Sequence, residues 1–538
     1  MGWNKTLFCI ILFLAQAFYC IAQTNTYFFE FKDKKQSQKP THFLSNKANK
    51  RRVNQKITIS FSDFPVDNQY IQKVLAFENT TYNYSLKWLN GILVDCDEFT
   101  ALEISSLPFV VSSKLVKTKN IASNQNRSLL QVNKLSTLAY GNSEDQIKSI
   151  GVDKMHECGI TGRGILIAVF DGGFSGADNA ASLRHLFSQN RIKYTYNIVE
   201  NSTNVFTKHA HGTNVLSCIA ANMPGNIIGT GYGADFALII SEDVASETLL
   251  EEYNWMKAAE IADSIGADII SSSLGYNTFD NSLDDHKLNE LDGKTTVITK
   301  AALIAARKGI LVLNSAGNNY NDKKWPYIIF PSDADSILSV GATQIDKTKA
   351  SFSAIGPTFD KRIKPDVAAL GVAITLNNSG STITNGNGTS YSAPLIAGLA
   401  AGIWEYDSTL TNIELLYTIK KSSSQYLTPN NEIGYGIPNY TAAIQLINKE
   451  IKANCDTYIN RISEIFPNPI QDYIVISLDK NQDIYNSKIK FLELNGKVVM
   501  EMDLMELNFK ENRIEIKNLK TGAYILMVGS KMYKIIKL

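Results

Sequence analysis

Three short segments of the chain carry side chains that could together perform nucleophilic catalysis. Asp171 directly follows the apolar run Ile165–Phe170, His211 precedes a glycine, and Ser390 lies in the segment Gly386–Pro394. A serine hydroxyl is a weak nucleophile, so it needs an adjacent base that a third group orients. An imidazole can serve as that base and a carboxylate as the orienting group. The three residue types therefore indicate acyl-transfer chemistry if the fold brings them together.

Each of these residues also has an ordinary structural interpretation. Asp171 could cap a turn before Gly172, and Ser390 could be the N-cap of a helix after a glycine-rich loop. His209 and His211 could be structural residues or a pair of metal ligands. Two histidines at positions i and i+2 of a loop, with no acidic third ligand, make a poor metal site. Catalysis is favoured because the three segments occur together.

The surrounding elements alternate between apolar strands and helices. The helical pattern Glu251–Ser264, for example, precedes an apolar run that ends at Ile270. Strands that are apolar on both faces and alternate with helices predict an α/β domain, here residues 141–450, whose mostly parallel sheet is covered by helices on both faces. Active groups in such sheets lie beyond the carboxyl ends of the strands. Asp171 has that position in the sequence.

The serine and histidine segments both predict helix N-termini. Ser390 precedes the apolar helix Leu395–Trp404, with Pro394 expected in the first turn, where a missing N–H does no harm. Backbone N–H groups at such a terminus would receive a developing oxyanion. His211 is likewise expected at a helix N-terminus, where the dipole favours the neutral imidazole that a general base requires.

The order Asp171, His211, Ser390, each in its own flanking sequence, resembles the subtilisin-like (subtilase) family of serine peptidases over roughly residues 145–445. Three further segments, each following a strand or preceding the serine, also resemble segments of that family: Ser273-Leu274-Gly275, Ser315-Ala316-Gly317-Asn318 and Lys364-Pro365-Asp366-Val367. The resemblance implies a subtilisin-like fold and the hydrolysis of peptide bonds.

The resemblance also implies a role for each of these residues. Ser390 would attack the scissile carbonyl, His211 would take and return its proton, and Asp171 would orient the imidazole. The side-chain amide of Asn318 and the backbone N–H of Ser390 would hold the oxyanion. The substrate would lie along five further residues: Ser273, Leu274, Gly275, Ala316 and Gly317.

The chain departs from the family pattern at several places, and two of them concern the carboxylate and a possible metal. The residue after Asp171 is Gly172, where many members carry a hydroxyl, so no neighbouring side chain supports the carboxylate. Many members bind structural calcium through loop carboxylates, but no such loop can be matched here residue by residue. The resemblance therefore implies no certain cofactor, leaves structural calcium open and assigns no metal ligand.

The first residues predict export. Lys5 precedes the apolar run Leu7–Ala17, and Cys20-Ile21-Ala22 offers small residues for cleavage before Gln23. Residues 1–22 are therefore predicted to be a signal peptide. The alternative is an N-terminal membrane anchor, although the apolar run is short for a span. No later stretch is apolar enough over a sufficient length to predict a stable membrane span.

Two segments, Ser85-Leu86-Lys87-Trp88-Leu89-Asn90-Gly91 and Leu107-Pro108-Phe109-Val110, lie where the inhibitory propeptides of the same family have similar patterns. Residues 23–140 therefore resemble such a propeptide, with an unrelated N-terminal binding domain as the alternative. The run Lys56–Phe61 alternates in polarity and predicts a strand, whereas the basic stretch Lys47–Lys56 predicts a solvated loop. A helix is expected over Glu98–Leu107. These elements predict a small α+β unit, and cleavage is expected in the linker Lys117–Leu138.

Residues 460–538 predict a small β-sandwich of short strands, with a type I′ hairpin at Asn495-Gly496. Four motifs follow one another here: Phe466-Pro467-Asn468-Pro469, Leu494-Asn495-Gly496-Lys497, Leu519-Lys520-Thr521-Gly522-Ala523-Tyr524 and Lys534-Ile535-Ile536-Lys537-Leu538. In this order they resemble the C-terminal sorting domain of type IX secretion in Bacteroidetes-type bacteria. The alternative is a carbohydrate- or protein-binding sandwich that stays on the mature protein.

Composition and charge exclude other classes. The length of 538 residues suggests several domains, and 44% hydrophobic with 20% charged residues is a globular balance. A formal net charge of +1 gives no reason to expect nucleic acid as a partner. The cysteines outside the predicted signal peptide lack the spacing of a zinc site or a disulfide scaffold. A Cys158–Cys218 bridge after export and two buried free thiols both remain open.

The sequence therefore predicts a secreted serine endopeptidase, made as a zymogen, that acts through an acyl-enzyme. Its partners would be polypeptide substrates and the type IX secretion machinery. It would act as a monomer, free in the medium or on the outer cell surface of a Bacteroidetes-type bacterium. Two other functions stay open: a non-catalytic binding protein of the same fold, and an esterase with the same nucleophilic machinery.

Overall fold

The computed structural model describes ten ranges of the chain: 24–34, 43–118, 140–378, 382–448, 462–466, 469–478, 488–493, 497–503, 511–528 and 531–538. The predicted signal peptide and most of the predicted cleavage linker lie outside these residues, as does the predicted hairpin turn at Asn495-Gly496. The described residues form an N-terminal, a central and a C-terminal unit.

The N-terminal unit is a small α+β structure, as predicted. Its elements are β1 (Asn25–Phe31), α1 (Asn46–Asn54), α2 (Asn68–Val74), β2 (Thr81–Leu86), β3 (Gly91–Cys96), α3 (Glu98–Ser105) and β4 (Val110–Lys117). The strands form an antiparallel sheet in the order β2-β3-β1-β4. Apolar residues of β1, among them Phe29 and Phe31, pack with Val74 of α2 and Ile104 of α3. This core on one face leaves the other face free to pack against the central unit.

Two local predictions for this unit are wrong. The predicted strand Lys56–Phe61 is instead irregular, and it leads into a short 3-10 turn at Phe61–Asp63. Lys56 adopts a left-handed φ of 56°, which ends the preceding helix, and Ile57 packs against Gly309. The basic stretch predicted as a solvated loop contains α1. A helix was not predicted there because Arg51 and Arg52 are buried against Asp263, which lies far away in the sequence.

The central unit is built on seven parallel strands in the described part of the chain. They are β5 (Leu166–Asp171), β6 (Ile192–Asn197), β9 (Asp235–Ile240), β10 (Ile269–Ser272), β11 (Leu311–Ser315), β12 (Leu338–Thr343) and β13 (Val367–Leu370). Their order in the sheet is β13-β12-β11-β10-β5-β9-β6, and all neighbours run parallel. Two small hairpins complete the unit: β7 (Asn222–Met223) with β8 (Ile227–Ile228), and β14 (Ile374–Asn377) with β15 (Ile383–Gly386).

Helices cover both faces of this sheet, which confirms the predicted α/β architecture. The helices are α4 (Glu144–Lys148), α5 (Val152–Glu157), α6 (Arg184–Ser188), α7 (His211–Ala220), α8 (Leu250–Ile265), α9 (Val297–Arg307), α10 (Thr389–Tyr406), α11 (Asn412–Lys421) and α12 (Tyr440–Ile447). Ile167 and Val169 of β5 pack on the face that carries α7 and α10. Leu166 and Phe170 point to the opposite face, with α8 and α9. This alternation is the period of a strand that is buried on both sides.

The N-terminal unit packs on α8 and α9 through an apolar contact and a buried charge network. Phe28 and Trp88 belong to the same apolar cluster as residues of α8. In the network, Arg51 Nη2 donates to Asp263 Oδ1 at 2.6 Å and Arg52 Nη2 lies 2.8 Å from Asp263 Oδ2. Arg51, Arg52 and Asp263 are nearly inaccessible to water, so the ion pairs must compensate their lost hydration.

The C-terminal unit consists of short strands in two sheets, as predicted. The strands are β16 (Ile462–Phe466), β17 (Tyr473–Leu478), β18 (Lys488–Glu493), β19 (Val498–Asp503), β20 (Glu511–Glu515), β21 (Gly522–Val528) and β22 (Lys531–Lys537). One sheet has the order β16-β17-β20 and the other β19-β18-β21-β22. Ile474 and Ile514 of the first sheet share an apolar core with Phe491 and Leu526 of the second.

The cysteines differ from both predicted arrangements. Cys218 is a free, buried thiol, whereas Cys158 is disulfide-bonded, so these two residues do not form a bridge with each other. Cys96 is free and buried in the N-terminal unit, where burial raises the pKa of its thiol to about 12. Among the described residues, no helix has the length and apolar character that crossing a bilayer requires.

The buried network predicts that Asp263 controls the attachment of the N-terminal unit. Replacing Asp263 with alanine would leave Arg51 and Arg52 buried without their shared carboxylate. Breaking a buried ion pair by removing one partner costs about 3–5 kcal/mol. We expect α1 to detach in the Asp263→Ala variant and to become sensitive to trypsin under native conditions. The exposed Asp178 offers a control, because Asp178→Ala should leave trypsin resistance unchanged; equal resistance in the two variants would contradict the prediction.

Candidate active site

The carboxylate and imidazole predicted from the sequence lie side by side at the end of the sheet. Asp171 is the last residue of β5 and is fully buried, and His211 is the first residue of α7. His211 Nδ1 lies 3.0 Å from each carboxylate oxygen of Asp171. The imidazole side chain is 23% exposed, so it links a buried anion to a solvent-accessible surface. This hydrogen bond fixes the orientation of the ring.

Backbone contacts set the separation of these two side chains. The N–H of Gly212 donates to the carbonyl oxygen of Gly173 at 3.0 Å, which joins the start of α7 to the turn after β5. The Gly172 N–H donates to Asp171 Oδ1 at 2.9 Å. A backbone donor therefore supports the carboxylate at the position where the sequence lacks a neighbouring hydroxyl.

Ser390 lies in the first turn of α10. It is the second residue of the helix, after the N-cap Gly388 with a φ of 156° and Thr389. The ring of the next residue, Tyr391, lies 5.8 Å from the His211 ring, measured between centroids. The first turn of the helix that carries the serine is therefore close to the ring of His211.

The proline of this helix is not in the first turn, contrary to the sequence-based expectation. Pro394 is the sixth residue of α10. An amide at this position would donate to the carbonyl of Ser390, but proline has no N–H. The hydroxyl of Ser273 donates to that carbonyl instead, at 2.8 Å. Pro394 and Ser273 together tie the backbone of Ser390 to the segment that follows β10, a positioning role that the sequence analysis missed.

Asn318 and the backbone of Ser390 direct two N–H donors toward the same place. Asn318 Oδ1 accepts hydrogen bonds from the Thr389 N–H at 2.9 Å and the Thr389 hydroxyl at 3.0 Å. This pairing uses the amide oxygen of Asn318 and leaves Nδ2 as the donor. A Cβ placed on Gly388 would lie 3.7 Å from both Asn318 Nδ2 and the Ser390 backbone nitrogen, and 3.8 Å from Asn318 Oδ1. Two N–H donors, the kind of group that stabilises an oxyanion, therefore lie near one point beside Gly388.

Thr389 and Ile329 are site residues that sequence reasoning missed. Thr389 holds Asn318, and its hydroxyl oxygen also accepts from the Gly317 N–H at 3.2 Å. Ile329 lies between the two predicted substrate-binding segments. A Cβ on Gly275 would be 2.6 Å from Ile329 Cδ1, and one on Gly317 would be 3.2 Å from Ile329 Cγ1. Nothing in the local sequence marks Ile329, because it approaches both segments only through the fold.

The remaining predicted substrate-binding residues have structural partners. Leu274 is buried, and its carbonyl oxygen accepts from the side chain of Asn314 at 2.9 Å. Ala316 is fully buried, and its carbonyl oxygen accepts from the Ile329 N–H at 3.0 Å. The structure thus places the predicted site residues at the carboxyl ends of β5, β10 and β11 and at the starts of α7 and α10.

Comparison with known proteins gives a match for each of the three units. Residues 162–436 match the subtilase family, 26–131 match the peptidase S8 propeptide domain of Bacteroidota, and 464–538 match the secretion system C-terminal sorting domain. The order of these matches along the chain is the order of the N-terminal, central and C-terminal units.

Individual relatives are similar over more than half of the chain. Subtilisin NAT of Bacillus subtilis subsp. natto is 29% identical over 361 residues, which are 67% of this chain and 82% of the relative. Subtilisin of Bacillus pumilus is 30% identical over 301 residues, 56% of this chain and 98% of the relative. Bacillopeptidase F of Bacillus subtilis strain 168 is 22% identical over 467 residues, 79% of this chain and 32% of the relative.

The geometry predicts that Gly212 maintains the hydrogen bond between His211 and Asp171. An alanine Cβ there would lie 2.4 Å from the Gly173 carbonyl oxygen and 2.9 Å from Asp171 Cβ. In Gly212→Ala, α7 must move, and we expect the low-field proton NMR signal of the His211 Nδ1–H to shift upfield or disappear. Gly522→Ala is the control, because its Cβ would meet only Tyr524 at 3.9 Å. An unchanged signal in Gly212→Ala would refute this explanation.

Proposed function

The chain belongs to the subtilase family and is a serine-type endopeptidase, and from this premise we propose that it cleaves peptide bonds through an acyl-enzyme formed on Ser390. The observation that carries the proposal is the hydrogen bond of His211 Nδ1 to both oxygens of Asp171, beside the helix terminus that bears Ser390. These three residues are the proposed catalytic triad.

The proposed reaction has two halves. Ser390 Oγ attacks the scissile carbonyl carbon while His211 Nε2 takes the hydroxyl proton, and the imidazolium then gives that proton to the leaving amine. Water attacks the resulting ester with His211 as the base, and the proton returns to Ser390 when the acid product leaves. Asp171 stays ionised throughout and stabilises the imidazolium. Its burial beside the ring strengthens this interaction, because water screens it little.

The proposed oxyanion site is the space beside Gly388. In the tetrahedral intermediate the carbonyl oxygen gains negative charge, which Asn318 Nδ2 and the Ser390 N–H would stabilise. Both donors are in place before substrate binds, because the amide oxygen of Asn318 accepts hydrogen bonds from Thr389 and the side chain is thereby oriented. Such preorganised donors need no rearrangement as charge develops. The substrate backbone would lie between the segments that contain Gly275 and Gly317, over Ile329.

The protein is made as a zymogen, and we propose that residues 23–140 inhibit it until they are cleaved. The N-terminal unit matches a propeptide domain and packs on the central unit through the buried charges of Arg51 and Asp263. Its last strand ends at Lys117, whose Nζ donates to Asp243 Oδ2 at 2.9 Å. Asp243 lies in the loop after β9, and β9 pairs with β5, the strand that ends at Asp171. The following linker, to Leu138, is the proposed cleavage region.

The protein is secreted or presented on the outer cell surface of a Bacteroidetes-type bacterium. We propose that a signal peptide in residues 1–22 takes it across the inner membrane and that the C-terminal unit directs it through the type IX machinery. The match of residues 464–538 to a secretion sorting domain supports this route. The partners in this proposal are polypeptide substrates and the secretion machinery, and the enzyme acts as a monomer.

The proposed site predicts different losses of kcat for the triad carboxylate and for the oxyanion donor Asn318. Asp171→Asn should lower kcat by about 10⁴, the loss seen in a serine protease of another family. Asn318→Ala should lower it by about 10²–10³, a magnitude known from another subtilisin-like enzyme. Peptide hydrolysis by the processed protein measures both effects.

A fluorophosphonate probe provides the control for these measurements. It should label the processed protein, and labelling should disappear in Ser390→Ala but persist in Ser188→Ala, which replaces an exposed serine. Labelling that survives Ser390→Ala would refute the assignment, and absence of labelling would favour a non-catalytic binding protein. Comparing peptide with simple ester turnover tests the esterase alternative.

Deletion of residues 460–538 tests the proposed export route. We expect the truncated protein to remain inside the cell, because it lacks the sorting unit, while full-length protein reaches the medium or the cell surface. Immunoblots of cell fractions measure this distribution. Full-length Ser390→Ala serves as the control for loss of activity without loss of the C-terminal unit. Continued export of the truncated protein would favour the alternative of a binding domain that stays on the mature enzyme.

A further inference from the structure

Two segments of the central unit contact the helix turn that carries Ser390. The hydroxyl of Ser273 donates to the carbonyl oxygen of Ser390 at 2.8 Å, and the side-chain oxygen of Asn318 accepts from the N–H of Thr389 at 2.9 Å. The P1 residue of a substrate is the one whose carbonyl carbon Ser390 would attack, so its Cα lies one bond from that carbon. Its side chain is therefore expected between the segments that contain Ser273 and Asn318, and we refer to this space as the P1 site.

The side chain of Ile329 lies between these two segments. Each segment has a glycine on the side where Ile329 lies: Gly275 follows Ser273 by two residues, and Gly317 directly precedes Asn318. A Cβ on Gly275 would lie 2.7 Å from Ile329 Cγ1, and a Cβ on Gly317 would lie 3.2 Å from the same atom. One atom of Ile329 is therefore in contact distance of both segments. The two glycines leave room between the segments, and Ile329 occupies that room.

The backbone around Ile329 is fixed, so the side chain cannot withdraw from the P1 site. The N–H of Ile329 donates to the Ala316 carbonyl oxygen at 3.0 Å. The next residue, Phe330, exchanges two backbone hydrogen bonds with Tyr276, at 3.0 Å and 3.2 Å, and its ring is fully buried. Branching at Cβ also restricts χ1 of an isoleucine. Ile329 is partly exposed, so a P1 side chain would meet its surface as the floor of the site.

Given the proposed function, on which this inference rests, we propose that Ile329 closes the P1 site to large side chains. The enzyme then cleaves after glycine, alanine and serine, and discriminates against leucine, phenylalanine and the charged residues. A methyl group fits above Ile329, whereas a longer side chain needs the volume that Ile329 fills. Extra carbon atoms in a packed site displace side chains or backbone, which is unfavourable. A single methylene in such a pocket changes kcat/KM by about 10–200-fold.

The walls of the P1 site supply no opposite charge for a basic or acidic P1 side chain. The side-chain atoms nearest to the two glycine Cβ positions belong to Ile329, Asn319 and Ala354, which are all uncharged. The amide nitrogen of Asn319 donates to the carbonyl oxygens of Trp325 and Tyr327, so it is already paired. A charged P1 side chain would lose hydration there without gaining an ionic partner, which is costly. Size and charge therefore favour the same small, uncharged P1 residues.

A series of peptide 4-nitroanilides that differ only at P1 tests the proposal. For the processed enzyme, kcat/KM with alanine at P1 should exceed that with leucine or phenylalanine by at least about 10²-fold. Ile329→Ala removes the atoms that lie between the two segments. In this variant kcat/KM for leucine and phenylalanine should rise by about 10–200-fold, whereas kcat/KM for alanine should stay within about threefold of the parent value.

Ile304→Ala is the matched control, because it removes the same atoms from a partly buried isoleucine away from the P1 site. Ile304 lies near the end of α9, close in the chain to the amino end of β11, whereas the P1 site lies at the carboxyl end of that strand. This variant should keep the ratio of kcat/KM between the alanine and leucine substrates. A loss of stability would lower the hydrolysis of all substrates in proportion, so the ratio distinguishes a specificity residue from a structural one.

The proposal is wrong if the parent enzyme cleaves the leucine and phenylalanine substrates as well as the alanine substrate, or if Ile329→Ala leaves their ratio unchanged. If Ile329→Ala does not fold, mass spectrometry of the peptides that the parent releases from a denatured protein gives the answer. Cleavage after glycine, alanine and serine supports the proposal, and cleavage after leucine or phenylalanine refutes it. Failure of the proposed function is distinguishable: no substrate of the series would be cleaved and a fluorophosphonate would not label Ser390, and both proposals would then be wrong.

Discussion

Side chains from the segments that follow two neighbouring strands hold the first turn of α10. The arrangement of the active site depends on this attachment. Asn318, after β11, accepts the N–H of Thr389, and Ser273, after β10, donates to the carbonyl of Ser390. Helix termini have backbone groups without intrahelical partners, and Pro394 creates one more such group within the helix. The residues that satisfy these groups also fix the serine relative to the sheet.

The parallel sheet explains why residues far apart in the sequence meet at one place. Strands β5, β10 and β11 are adjacent and run in the same direction, so their carboxyl ends emerge together. Asp171 ends the first of them, Ser273 follows the second and Asn318 follows the third. The two helices that start beside these ends, α7 and α10, bring His211 and Ser390. The side chains of these three strands are buried and closely packed, which keeps the positions of the strand ends fixed.

The strand and helix periods sufficed to predict the architecture of the central unit and the position of Asp171 at a strand end. These periods gave wrong predictions where the residues that surround a side chain belong to a distant segment of the chain. The basic stretch Lys47–Lys56 was predicted to be solvated because Asp263, the carboxylate that pairs with both Arg51 and Arg52, lies more than two hundred positions away. Pro394 was placed one turn too early because nothing local shows that Ser273 replaces the missing amide. Ile329 was not predicted as a site residue, because it approaches Gly275 and Gly317 only in the folded chain.

Charge links the N-terminal unit to the loop beside Asp171. Lys117 pairs with Asp243 in the loop after β9, and the Ser241 N–H of the same loop donates to the Asp171 carbonyl oxygen at 3.2 Å. Removal of the N-terminal unit takes the positive charge of Lys117 away and makes this loop more negative. The end of the N-terminal unit and the end of β5 are therefore attached to one loop, so release of the unit changes the charge next to the strand that carries Asp171.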